Sequence, residues 1–134
     1  MKTAIYPGSF NPWHKGHSDI LNKALKVFDK IIIAIYGEDK HSLNTEWFGL
    51  YLFNKLEVVK FNKQLLKDVV DKYKPMAIIR GLRNGNDLQY EMNMQYWNED
   101  LGIKIPTVYF VSGRDVSHVS STIIRELDEI RGEK

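Results

Sequence analysis

The sequence predicts a single α/β domain: one doubly wound parallel sheet of five strands in the order 3-2-1-4-5, covered by helices on both faces. Two observations carry that expectation. Runs rich in Ile, Val, Ala and aromatic residues alternate with helical periodicities along the whole chain, the pattern of strands buried on both faces beneath crossover helices. Three clusters of unusual polar residues each follow one of those runs, as binding loops do at the carboxyl ends of parallel strands. The 134 residues suit one domain, 1–134, long enough to bury roughly two thirds of the surface the unfolded chain exposes.

Taken in order, the first strand is expected at about Thr3–Tyr6, an apolar run after which Gly8 and Pro12 bend the chain. A helix over Gly16–Phe28 follows, its apolar residues recurring at helical spacing. The run Lys30–Tyr36 is the most strand-like of all, with four isoleucines and an alanine at its centre. Next come a helix over Thr45–Lys55, a strand over Leu56–Phe61 and a helix over Lys63–Tyr73, the helices capped by Asn44 and Asn62. Pro75 ends that last helix before a fourth strand at Met76–Ile79. A helix over Asp87–Asp100, capped by Asn86 and closed by Gly102, leads to the fifth strand at Thr107–Val111, and a helix over Ser120–Ile130 completes the pattern, which is Rossmann-like. The aromatic stretch Trp47–Phe53 reads as core or subunit interface.

Composition removes several classes of function. With 43% hydrophobic and 27% charged residues, the chain has an ordinary globular balance, and no apolar run nears the roughly 20 residues that span a bilayer. Met1 to Ala4 leads straight into a strand, so no signal peptide is expected. The absence of cysteine excludes disulfides, thiol catalysis and cysteine-bound zinc, and fits a reducing cytoplasm. A net charge of +2 is too small to make nucleic acid the main partner, so any anion site must be local.

The polar clusters supply that site. Tyr6 to His17 reads as strand, glycine-bearing loop, paired histidines and helix start, which is how a phosphate site is built: free helix N–H groups and two imidazoles face whatever the loop holds. His17 can donate to an α-phosphate oxygen and Ser9 can hold a phosphate beside it; a capping histidine is the ordinary alternative, and a His-x-x-His zinc pair lacks the further ligands to complete it. His14 could serve the same phosphates. Arg80 and Arg83 follow the fourth strand, where guanidiniums can fork onto phosphate. Glu91, Met94 and Asn98 share one helix face that could line the same crevice. Lys40, after the second strand, could reach a transferring phosphate. Ser120, Ser121 and Thr122 open the last helix with three hydroxyls, more than capping requires. With strand order 3-2-1-4-5, the clusters after strands one, four and five converge on the crevice between strands one and four.

With these residues collected, the chain resembles the nucleotidyltransferases that carry a (T/H)xGH signature, and among them the phosphopantetheine adenylyltransferase family. The likeness spans about Ala4 to Leu127. The family's YPG(T/S)FDPxxxGH motif stands as Tyr6–His17, its RGLRxxxDFEYE motif as Arg80–Glu91, and its serine-rich helix start as Ser120-Ser121-Thr122-Ile123; the second motif is the branch-specific one. The resemblance implies transfer of AMP from ATP to 4′-phosphopantetheine, giving dephospho-coenzyme A and pyrophosphate. It implies catalytic roles for His17, Lys40 and Arg80. Ser9, Lys40, Arg80, Leu66 and Asn98 would bind the acceptor. ATP would be held by Ser9, Phe10, His14, His17, Gly81, Arg83, Glu91, Ser117, Val119, Ser120, Ser121 and Thr122, with Glu91 near the ribose. No protein metal site is implied; Mg²⁺ would bridge the triphosphate. A cytoplasmic hexamer is expected, with no nucleic acid or membrane partner.

The sequence departs from that pattern in places. Asn11 replaces the usual aspartate of the first motif, the connection between strands two and three is several residues short, and the chain ends within about one helix of Thr122. The stretches Phe10–His17 and Val119–Arg125 also resemble the GSFNPxHxGH and ISSTxIR motifs of nicotinamide or nicotinate mononucleotide adenylyltransferases, the second reading. A non-catalytic nucleotide-binding module is the third.

Overall fold

The structure is a computed structural model and describes residues 1–10, 13–37, 55–61 and 65–113. Its elements are β1 (Thr3–Gly8), α1 (Lys15–Ala24), β2 (Lys30–Tyr36), β3 (Leu56–Phe61), α2 (Leu66–Tyr73), β4 (Ala77–Leu82), α3 (Gly85–Asp100) and β5 (Thr107–Val111). Every strand pairing is parallel and the sheet order is β3-β2-β1-β4-β5, as the sequence predicts. The helix expected at Thr45–Lys55, apart from Lys55, and that at Ser120–Ile130 lie outside the described residues, as do the caps Asn44 and Asn62 and the aromatic stretch Trp47–Phe53.

Alternation along the strands sends side chains to two cores. Ala4 and Tyr6 of β1, Ile31, Ile33 and Ile35 of β2, and Ala77 and Ile79 of β4 join Ile20, Leu21 and Ala24 of α1 on one face. Ile5, Ile32, Ala34 and Ile78 join Val69 and Val70 of α2, with Phe61 and Ile103, on the other. Burial on both faces explains why β2 is a nearly unbroken aliphatic run; each isoleucine removed from water contributes about 1.5–3 kcal/mol.

The ladders are unequal, and that inequality positions the site. β1 pairs with β2 over six residues, Thr3↔Lys30 to Gly8↔Ile35, whereas β1 and β4 pair only at Ala4↔Ala77 and Ile5↔Ile78. The carbonyl of Thr3 accepts from the N–H of Met76 at 2.8 Å, so alternation turns the backbone of Ile5 and then Pro7 toward β4. Pro7 has no N–H to give, and the ladder stops. β4 instead stays paired with β5 as far as Leu82↔Val111. The two central strands therefore part toward their carboxyl ends and leave a crevice between them.

Several boundaries differ from expectation, each for a local reason. β1 reaches Gly8 through its pairing with β2, and β4 reaches Leu82 through β5, so Arg80, Gly81 and Leu82 belong to the strand rather than to the loop after it. Helix α1 ends at Ala24, because the chain must turn to bury Phe28 and to bring Asp29 and Lys30 onto the carbonyl of Lys2. Helix α2 begins at Leu66, preceded by Leu65 with no side-chain cap bond. Asn86 is not the cap of α3: Asn84 accepts from the N–H of Asp87 at 3.1 Å while Asp87 accepts from the N–H of Asn84 at 3.3 Å. The spacing alone does not choose, since Gln89 stands three residues after Asn86; the helix starts at Gly85, so the box closes on Asn84. Pro75 and Gly102 do mark ends, Gly102 with φ of 91° just past α3.

Helix α1 lies so close to β4 that a Cβ on Gly81 would come within 2.9 Å of Cγ1 of Ile20. Gly81→Ala is expected to destabilise the protein by about 1–3 kcal/mol in urea denaturation, as overpacked cores do. Ile20→Ala opens the contested space, so the double variant should lose less than the sum of the two single losses.

Candidate active site

Between the parted ends of β1 and β4 lies a cavity of about 410 Å³, lined by the end of β1 and the loop after it, by the first turns of α1, by Arg80 and Gly81, by Arg83, Asp87, Tyr90 and Glu91, and by Ser112 beyond β5. Its floor is aromatic. Phe10 adopts φ of 48°, a left-handed conformation that costs a non-glycine residue about 1–3 kcal/mol and persists only where packing imposes it. The packing is present: the Phe10 ring meets Tyr6 edge-on at 5.0 Å, His17 edge-on at 5.0 Å and Trp13 at 4.9 Å. It also folds back over Gly8, where a Cβ would sit 2.9 Å from its tip.

The two histidines are fixed by the helix they begin. His14 is the N-cap of α1, its Nδ1 accepting from the N–H of Gly16 at 3.1 Å, and Nδ1 of His17 accepts from the N–H of His14 at 3.1 Å. The rings stack with centroids 3.7 Å apart. A backbone N–H can only donate, so both Nδ1 atoms are acceptors and each neutral ring carries its proton on Nε2. Capping uses the Nδ1 side of both rings and leaves Nε2–H available on each neutral ring. Gly16 is what lets His14 reach, since a Cβ there would meet its ring at 2.9 Å. Burial, reinforced by His14 and by the charges of Arg80 and Arg83, lowers the pKa of His17 from 6.5 to about 4. At neutral pH His17 is therefore an uncharged donor held by aromatic neighbours, with Nε2–H as its one polar handle.

Arg80 is the most heavily engaged cation among the described residues. Its Nε lies 3.0 Å from Oε2 of Glu91, Nη2 lies 2.8 Å from Oε1, and Nη1 donates to the carbonyl of Pro7 at 2.9 Å. The last bond occupies the β1 carbonyl left over where the ladder to β4 stops. Burial works against the Arg80 charge, but the hydrogen bond and charge of Glu91 more than offset this and raise its pKa. Burial, offset in part by Arg80, also pushes the Tyr6 hydroxyl up to about 12. Arg83 stands at the mouth with its side chain 70% exposed, 3.7 Å from Asp87, free to turn toward an incoming anion.

Eight residues expected from the sequence meet at this cavity: Ser9, Phe10, His14, His17, Arg80, Gly81, Arg83 and Glu91. Lys40, Ser117, Val119, Ser120, Ser121 and Thr122 lie outside the described residues. Leu66 and Asn98 do not line the cavity. Leu66 packs on the second core, across the sheet, and Asn98 sits near the end of α3, where its carbonyl accepts from Ile103; Met94, on the same helix face as Glu91, is largely exposed. Pro7, Asp87, Tyr90 and Ser112 also line the cavity; the first three fall inside the Tyr6–His17 and Arg80–Glu91 motifs without an assigned role, and Ser112 lies outside both.

Histidine and arginine donors around one cavity at the switch point of a doubly wound sheet, beginning at a GH helix start, suit a nucleotidyltransferase of the cytidylyltransferase-like class, and residues 5–127 match that family's model. Relatives narrow the class: the chain is 36% identical to the phosphopantetheine adenylyltransferase of Mycoplasma mycoides subsp. mycoides SC, over 96% of this chain and 97% of that one. It is likewise 36% identical to those of Clostridium perfringens, covering 99% and 85%, and Pelagibacter ubique, covering 98% and 88%. The chain belongs to the phosphopantetheine adenylyltransferase family. Solved structures show the same fold in more distant proteins: a Francisella tularensis pantoate–β-alanine ligase, at a TM-score of 0.61 and 14% identity over 98% of this chain and 70% of that one, and a Thermoplasma volcanium lipopolysaccharide core biosynthesis protein, at 0.56 and 20% over 84% and 98%.

The His17 environment makes a direct prediction. Its folded pKa lies below the unfolded value, so the stability gained by keeping it neutral is fully present above pH 6.5 and is lost as pH falls from 6.5 toward 4. In a ¹³C-edited NMR titration the His17 Cε1–H resonance should move with a midpoint near 4; a midpoint at an ordinary histidine value would mean that the ring is not held as described.

Proposed function

We propose that this protein transfers the adenylyl group of ATP to the phosphate of 4′-phosphopantetheine, releasing pyrophosphate and forming dephospho-coenzyme A. Family membership sets the reaction, and the observation that supports it at the level of chemistry is the convergence of His17 Nε2–H with the Arg80 guanidinium on one cavity. An oxygen of the acceptor phosphate attacks the α-phosphorus in line. The bridging P–O bond to the β-phosphate breaks, and pyrophosphate leaves with that electron pair. The attacking group is already an anion near neutral pH, since a phosphate monoester loses its second proton at about pH 6, so no protein base is required and no covalent intermediate forms. The protein supplies position and positive potential.

In this reading the His17 Nε2–H donates to a non-bridging α-phosphate oxygen and strengthens as charge builds there. Its low basicity suits the task, because the proton is shared and not given away. Arg80, with Ser9 and Lys40, holds the acceptor phosphate. Phe10, His14, Gly81 and Arg83, with Ser117 and Val119 to Thr122, hold ATP. Magnesium would enter as Mg-ATP and neutralise the phosphates it accompanies. We place the enzyme in the cytoplasm as a homohexamer. Among the described residues no helix is long and apolar enough to cross a membrane.

Pyrophosphate release from Mg-ATP, measured in parallel with 4′-phosphopantetheine, nicotinamide mononucleotide or no acceptor, should occur with phosphopantetheine alone. Release with the mononucleotide would move the assignment to that branch, whose HxGH spacing His14 and His17 share, and silence throughout would indicate a binding module. His17→Ala should lower kcat by about 10²- to 10³-fold, the usual cost of removing one donor to a developing oxyanion.

A further inference from the structure

We propose that Asp19 and Lys23 of α1 are positioning residues for the nucleotide: they clasp the exit of β5 and so hold the Ser112 wall of the cavity in place against His17 on the same helix. The role rests on the proposed ATP reading of the cavity and extends it to two side chains that do not line it. Among the described residues β5 is an edge strand, and its ladder to β4 ends at Leu82↔Val111. The N–H of Ser112 donates to the carbonyl of Leu82 at 2.9 Å, so strand alternation turns the Val111 carbonyl to the outer edge, where a sheet leaves its backbone groups unpaired. Lys23 reaches that carbonyl from α1 across 88 positions of sequence, its Nζ 2.5 Å from the oxygen.

The same ammonium lies 3.0 Å from Oδ2 of Asp19, and that oxygen is shut off from solvent. It abuts Gly113, where a Cβ would come within 3.2 Å of it. Lys23, first among its neighbours, holds the Asp19 carboxyl below the usual carboxylate range, so the pair is charged at neutral pH. An i,i+4 pair on a helix surface asks nothing of a neighbouring strand and contributes little; here one ammonium serves the helix and the strand end together, and the carboxylate packs on the residue after Ser112. His17 and Ile20 of α1 line the cavity, as does Ser112, so a slip of the β5 exit along α1 would move one wall of the cavity relative to the His17 donor. That wall belongs to the nucleotide side. Leu82, to which Ser112 bonds, immediately precedes Arg83, and the sequence runs on from Gly113 to Ser117–Thr122, all proposed for ATP, whereas Ser9 and Arg80, proposed for the acceptor phosphate, stand where β1 and β4 part.

Calorimetric titration of the full chain with Mg-ATP and with 4′-phosphopantetheine, alongside pyrophosphate release over a range of Mg-ATP concentrations, separates positioning from plain stability. Lys23→Met, which keeps the stem and removes the ammonium, should weaken Mg-ATP binding about fivefold, the scale of one half-exposed charge-assisted hydrogen bond, and leave the Kd for 4′-phosphopantetheine unchanged. Turnover at saturating Mg-ATP should persist, so that KM moves and kcat does not. Lys23→Arg, whose fork can still donate to both partners, should recover Mg-ATP binding. Gly113→Ala crowds the Asp19 carboxylate from the strand side with both residues of the ion pair intact, and should reproduce the loss confined to Mg-ATP; it carries the comparison if Lys23→Met fails to fold, as judged by its thermal melt. Equal weakening of both ligands would make the clasp a general brace, and unchanged Mg-ATP binding in Lys23→Met and Gly113→Ala would make it an ordinary surface pair; either result overturns the proposal. A wild-type protein that does not bind Mg-ATP would instead remove the nucleotide reading itself, and this proposal with it.

Discussion

The guanidinium of Arg80 joins three elements that the sheet leaves apart at the cavity: β4, which carries it, α3 through Glu91, and the end of β1 through the Pro7 carbonyl. The need for it arises one step earlier, where the β1–β4 ladder stops after Ile5↔Ile78 and strands a buried carbonyl. Orphaned backbone groups are costly, and here a side chain satisfies one that no strand can. The same ion pair anchors the middle of α3, so the helix face that forms one cavity wall is set by a charge on the opposite strand. Strand geometry, helix placement and local charge are consequences of one interrupted ladder.

The start of α1 shows a similar economy. Ser, Thr, Asp or Asn would cap the helix at least as well as His14, and none of them would give His17 a stacked neighbour. Using two imidazoles for the capping box sets the tautomer of both rings, lines them up at the cavity and keeps His17 neutral through burial. The price is Phe10 in a left-handed conformation, offset by aromatic packing on three sides.

Much of this was legible in the sequence, for identifiable reasons. The strands are buried on both faces, so their composition alone marks them, and the order of polar clusters after strands places the site. The clustering of Ser9 to His17 with Arg80 and Arg83 follows from topology alone. What escaped depends on pairings that periodicity does not encode. That Arg80 lies within β4, and that Asn84 rather than Asn86 caps α3, is decided by register and by a reciprocal hydrogen bond. That Glu91 faces Arg80 depends on the rotation of α3, a helix apolar on several sides with Leu88, Tyr90, Met92, Tyr96 and Trp97 all exposed; such a helix has no amphipathic stripe from which to read its orientation. Pro7 carries no role in the sequence reading, and its contribution is the donor it lacks.

The short ladder also makes the sheet mechanically uneven. β3, β2 and β1 form one fully bonded ribbon and β4 and β5 another, stitched by two residue pairs at one end and by the Arg80 bridge at the other. The line of lowest hydrogen-bond density thus runs through the cavity, and small openings of the two ribbons about that seam should be the softest collective motion available to the fold. A ligand that touches both the loop after β1 and the residues after β4 would lie across the seam as a splint, so occupancy and stiffness would rise together. Amide exchange at Ile5 and Ile79, whose backbones turn toward the seam, would report it, linking a missing proline proton to the compliance of the whole domain.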